Sequence, residues 1–104
     1  MILTVFRSRL NSGHTPEYFD LLPEVTSLAV DMPGYLWHKS FIADDGERVT
    51  IVEFADQESH QAWANHPQHR AAMVKGRDRF YDFYDIKICA VERASVFESV
   101  GPES

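Results

Sequence analysis

Tyr35-Leu36-Trp37-His38-Lys39-Ser40-Phe41-Ile42, then the link Ala43-Asp44-Asp45-Gly46-Glu47, then Arg48-Val49-Thr50-Ile51-Val52-Glu53-Phe54-Ala55 read as two strands joined by a hairpin. β-branched and aromatic residues fill both runs, and Asp45-Gly46 carries the turn signal. One strand and one helical pattern lie before this hairpin; a helical pattern and one strand lie after it. The resulting order is β-α-β-β-α-β, the ferredoxin-like split βαβ pattern: an α+β fold with an antiparallel sheet and both helices on one face.

Upstream, Ile2 to Leu10 alternates in the manner of a strand, and Asn11-Ser12-Gly13 breaks it. Thr15 can cap a helix, Pro16 suits its first position and Glu17 suits its positive end. Tyr18, Leu21, Leu22, Val25, Leu28, Ala29 and Met32 recur at helical spacing, which predicts a helix over about 16–32. Pro23 inside it predicts a kink or break, and Met32-Pro33-Gly34 ends it. Downstream, Asp56 caps a helix from Gln57 to about Asn65. His66 marks a local break, and Pro67 starts a second helical segment reaching about Tyr81. The last strand is expected over about 84–97. Residues 1–98 are expected to form one domain, followed by a flexible C-terminal tail over 99–104.

A net charge of −6 and a pI near 5.2 argue against nucleic-acid and anionic-membrane partners, which call for a basic surface. No apolar run is long enough for a membrane span or a signal peptide. The single cysteine, Cys89, excludes an internal disulfide and fits a cytoplasmic protein; it reads as a small core hydrophobe. Trp37, Phe41, Val52, Phe54, Val5, Cys89 and Val91 lie on strands at alternating positions, so apolar groups point to both faces of the sheet. Helices cover only one face, and a second copy packing sheet to sheet would cover the other: a homodimer is expected.

The densest run of chemically capable groups is Trp63-Ala64-Asn65-His66-Pro67-Gln68-His69-Arg70, continuing to Gly76-Arg77-Asp78-Arg79-Phe80-Tyr81. Together with Met32-Pro33-Gly34-Tyr35 before a strand and Asp45-Gly46-Glu47 before the next, its order and spacing resemble the antibiotic biosynthesis monooxygenase family from about Leu3 to Phe97. The resemblance implies a dimeric α+β barrel with a pocket between each sheet and its own helices. Some members of that family oxidise polyketide-like phenols to quinones with oxygen and neither metal nor flavin; others degrade haem. Haem degraders use an Asn on the first strand, a Trp on the second helix and a His about three turns later. Here Trp63 matches, but the other two positions fall near Arg7 and Met73, which argues against haem degradation. Quinone formers line the pocket with a Trp, a Tyr, an Asn and an Arg; Trp63 lines up, and His69 stands roughly where the tyrosine falls.

Each candidate carries two readings. Trp63 is a core anchor or a pocket wall offering its indole N–H. His66 and His69 are solvated histidines at a helix start, or one of them is a base taking a phenolic proton. A metal site would need His60 or His38 as well, and nothing brings them together, so no metal site is assigned. His38 enters the pocket if its face looks toward the helices and is structural if it looks toward the dimer seam. Arg77 forms a surface ion pair or holds an oxyanion. Tyr81 and Tyr84 pack with satisfied hydroxyls or touch substrate.

The leading reading is an oxygenase that needs no cofactor. It would act on a small aromatic molecule and O2, with His38, Trp63, His66 and His69 as catalytic candidates and Arg77, Tyr81 and Tyr84 as substrate contacts. The alternative is a non-catalytic dimeric barrel that binds a small ligand.

Overall fold

The central hairpin pairs β2 (Tyr35–Ile42) with β3 (Arg48–Phe54), His38 opposite Val52 and Phe41 opposite Val49. Gly46 takes φ 90°, a left-handed conformation that glycine adopts without penalty, and Ala43 and Glu47 close the turn with an N–H···O bond of 2.8 Å. β1 (Ile2–Leu10) lies in the middle of the sheet, antiparallel to β3 on one side and to β4 (Tyr81–Ala90) on the other. The order is β2-β3-β1-β4. α1 (Thr15–Val30), α2 (Gln57–Ala64) and α3 (Pro67–Lys75) complete the ferredoxin-like α+β arrangement. This computed structural model describes residues 1–99. The expected tail lies outside them but for Ser99, and no described helix is long and apolar enough to cross a membrane.

The pleat sorts the strand residues into two sets. Thr4, Phe6, His38, Thr50, Val52, Phe54, Tyr84, Ile86 and Ile88 fall on the helix side, while Leu3, Val5, Arg7, Trp37, Phe41, Ile51, Phe83 and Cys89 fall on the outer side. Two apolar clusters join helices to sheet. Ala29, Phe54 and Trp63 form one, with Val25, Leu28, Met32, Tyr35 and Val52 packed around them. Tyr18, Phe80, Tyr81, Phe6 and Tyr84 form the other, through edge-on and tilted ring contacts of 5.4–5.8 Å.

Several local expectations change. Thr15 is the first helical residue rather than the cap, and its hydroxyl donates back to the Asn11 carbonyl at 3.1 Å. The Asn11 side chain instead receives the N–H groups of Gly13 and His14. α1 runs unbroken through Pro23, whose exposed position lets solvent serve the carbonyl that proline cannot. Asp56 does cap α2, accepting from Ser59 N–H at 2.8 Å. The helical segment begun by Pro67 does run to Phe80, close to the expected end, but widens after Lys75 into a five-residue π turn, Gly76–Phe80.

The last strand starts and stops earlier than expected, at Tyr81 and Ala90. Ala90 pairs with Ile2, the first residue of β1, so beyond it no partner strand remains to ladder with. Val91, expected on a strand, makes a single bond to the Met1 carbonyl. Cys89 is exposed rather than a core residue, because its position in β4 faces outward.

Candidate active site

Between the two apolar clusters, helices and sheet leave a cavity of about 470 Å³. Its floor is strand surface, its far wall α1, and its near wall α2, α3 and the wide turn. That volume is in the range of pockets that hold a small organic ligand.

Six of the seven sequence candidates line this cavity: His38, Trp63, His69, Arg77, Tyr81 and Tyr84. His66 does not. As the residue just before Pro67 it sits at the N-cap of α3, and its Nδ1 accepts the Gln68 N–H at 3.2 Å, which uses the ring for helix capping.

Trp63 is buried on the last turn of α2, against Phe54 and Ala29. It is core anchor and cavity wall at once. One turn into α3, His69 lies flat on the indole, with ring centroids 4.1 Å apart and planes 20° from parallel. Its Nδ1 meets the backbone carbonyl of Trp63 at 3.2 Å. A carbonyl only accepts, so Nδ1 carries the proton and Nε2 keeps its lone pair. Burial lowers the imidazole pKa below its ordinary value and outweighs the backbone contacts that raise it. His69 is therefore a neutral imidazole with a basic nitrogen, held by a stacked ring and a fixed hydrogen bond.

His60, which the sequence offers only as a possible metal ligand, is more deeply buried than His69. It sits three residues before Trp63 on α2, against the Phe54 ring, and shares a 2.9 Å hydrogen bond with Thr4 on the cavity floor. Burial lowers its pKa too. The readable signal was its spacing from Trp63, which puts both side chains on one helix face. His38 looks toward the helices, as its strand parity allows. Its Nδ1 contacts the Tyr35 hydroxyl at 2.5 Å. Among the described residues, no three His, Cys, Asp or Glu side chains gather as a metal site.

Tyr81 closes the aromatic end. Burial pushes its phenol pKa well above the usual value, so it stays protonated and serves as wall or hydrogen-bond donor. Arg77, on the wide turn, donates to the Tyr84 hydroxyl at 3.4 Å, a contact that raises its own pKa. Both stand at the rim.

The sheet order, the cavity between sheet and helices and the tryptophan wall match one protein class. A family model described as antibiotic biosynthesis monooxygenase matches residues 1–75, and the chain belongs to that family. It is 30% identical over 94 residues to the uncharacterized Bacillus subtilis protein YqjZ, which covers 90% of this chain and 82% of that protein. Among solved structures, SnoaB, a cofactor-independent oxygenase from Streptomyces nogalater, superposes with a TM-score of 0.73 at 14% identity, covering 89% of this chain and 94% of SnoaB. Rv0793 from Mycobacterium tuberculosis gives 0.77 at 12% identity, covering 90% and 98%. At such identities these two likenesses concern the fold.

Proposed function

We propose that this protein is a cofactor-independent monooxygenase-like enzyme that oxidises a small phenolic aromatic with O2. One observation carries the reading: an apolar cavity walled by Trp63 whose imidazole, His69, is held neutral with Nε2 free. Family membership and the SnoaB-like fold support it. In the reading, His69 Nε2 takes a proton from the substrate as general base. Closing apolar walls around the resulting anion raises its drive to pass electrons to oxygen. The substrate carbon and O2 join, the peroxide takes the proton back from His69, and loss of water leaves a carbonyl. The net change is CH2 + O2 → C=O + H2O, and all the electrons come from the substrate. The indole N–H of Trp63 is assigned to the developing oxyanion, and Arg77 to substrate contact at the rim. His38, Tyr81 and Tyr84 are assigned to substrate contact. We further assign the protein to the reducing cytoplasm, in keeping with its one unpaired cysteine.

Oxygen uptake with a panel of anthrones and hydroquinones tests the reading. Turnover above autoxidation that is lost in His69→Asn is the expected result. Wild-type protein that never exceeds autoxidation, while still binding the compounds, would leave a non-catalytic ligand carrier as the better account.

A further inference from the structure

We propose that the ligand of this cavity carries a carboxylate, gripped at the cavity rim by Arg70 and Arg77. The inference rests on reading the cavity as the substrate site, and it narrows the substrate to an anionic aromatic.

The observation is a contrast among arginines. Acidic side chains outnumber basic ones 16 to 10 in this chain, so a partner for any arginine is near at hand. Arg7 pairs with Glu47 at 2.8 Å, Arg9 with Asp45 at 2.6 Å and Arg79 with Glu17 at 3.3 Å. Arg48 spreads its guanidinium over the rings of Tyr18 and Phe19. Among the described residues Arg70, Arg77 and Arg93 have no carboxylate within ion-pair distance, and of these Arg70 and Arg77 line the apolar cavity while Arg93 does not. Asp78, next to Arg77, acts on it only at longer range.

Their placement is cooperative. Arg70 is on α3 and Arg77 on the wide turn that continues it, seven positions on. Their backbones are therefore about 10 Å apart along the axis, close enough for two long side chains to meet over the rim. The Tyr84 hydroxyl holds Arg77 from the sheet side. Below the rim the lining is aliphatic and aromatic (Val25, Val52, Ile86, Ile88, Phe6). An apolar body inside with a carboxylate outside matches that division, and a planar guanidinium fork is the side chain best shaped for a carboxylate.

The probes are 6-hydroxy-2-naphthoate and its methyl ester, alike in shape and different in charge. Binding is measured by calorimetry under nitrogen, so the result does not depend on turnover. The acid is expected to bind roughly tenfold more tightly than the ester at low ionic strength, with the preference shrinking as salt is added. In the Arg70→Gln/Arg77→Gln double variant the ratio should fall close to one. If that variant does not fold by circular dichroism, each single substitution should cut the ratio about threefold.

Equal binding of acid and ester, no binding of either, or a preference that survives loss of both arginines overturns the proposal. Failure of the oxygenase reading is separately visible. A carboxylate preference without oxygen uptake sinks only that reading; uptake without the preference sinks only this one.

Discussion

His69 lies parallel to Trp63 at 4.1 Å and donates its Nδ1 proton to the carbonyl of that same tryptophan. Two contacts to one residue fix the ring's tilt, position and tautomer together. The break at Asn65–His66 makes this possible, because it turns α3 back so that a residue six positions on faces the carbonyl it follows. A continuous helix would have carried His69 past Trp63; here the carbonyl accepts the His66 N–H at 3.1 Å and the His69 ring together.

The pH dependence follows from the sign of the His69 shift. The base works only when neutral, and its pKa lies below the ordinary 6.5 because burial disfavours the cation. The reaction proposed above should be flat at and above neutrality and fall as pH drops through a value below 6.5. His69→Asn should lose roughly a hundredfold or more in kcat. A break at or above the ordinary histidine value in the kcat/KM profile would remove His69 from the base role.

Stability obeys the same arithmetic. His60 and His69 both have folded-state pKa values depressed by burial. Their contribution is complete above the unfolded value of 6.5 and is lost as pH falls through the folded values. Thermal midpoints should hold steady from pH 8 to 7 and decline below about 6.5. His60→Gln, which keeps a partner for Thr4, should flatten part of that decline.

Tyr81 supplies the opposite sign. Its phenol pKa is raised by burial, so its stabilising effect is present below the ordinary 10 and is lost as pH rises through the folded value. Spectrophotometric titration should show the Tyr81 phenol unionised until alkaline unfolding sets in. In Tyr81→Phe the amplitude of that late phase should fall by one tyrosine. A first-phase amplitude accounting for all four tyrosines would contradict the burial.

How much of this was legible depends on whether the determinant is local. The hairpin was, because Asp45-Gly46 and the alternation around it are properties of neighbours in sequence. So was the Asp56 cap, three residues from the N–H it binds. The ends of β4 were not: they follow from where β1 begins and ends, about eighty positions away. His60 and His66 exchanged places for a similar reason. His66 draws attention beside Pro67, but that proline fixes it as a cap; His60 enters the sequence reading only as a possible metal ligand, because nothing local shows that the Trp63 side of α2 packs against Phe54 and Thr4. The wide turn at Gly76 has no signal in periodicity. Its close approach to Tyr81 is spatial: a Cβ on Gly76 would sit 2.6 Å from the Tyr81 ring.

Two glycines offer a controlled comparison. Gly34 has φ 85°, and a Cβ there would fall 2.1 Å from the Ser59 hydroxyl oxygen and 2.5 Å from its Cβ. Gly46 has φ 90° and nothing within 4 Å. Gly46→Ala should therefore cost only the backbone strain, about 1–2 kcal/mol. Gly34→Ala adds a collision between the β2 start and α2, and should cost about 3 kcal/mol or more. Denaturant midpoints of the two variants check the order; equal losses would mean that α2 yields freely at Ser59.

The outer face of the sheet carries the remaining prediction. Trp37, Phe41 and Phe83 stand there 40%, 47% and 39% exposed, around half-buried Leu3, Val5 and Ile51. A monomer with so much aromatic surface in water is a poor end state, and a second copy is the simplest cover. We expect sedimentation to report a homodimer at micromolar concentration. Phe41→Asp would place a charge in that seam while leaving the helix-side core untouched, since Phe41 points away from it. It should weaken association by roughly a hundredfold and leave the circular dichroism of the subunit in place. A wild-type chain that sediments as a monomer would show that this face tolerates water, and would remove the need for any partner on it.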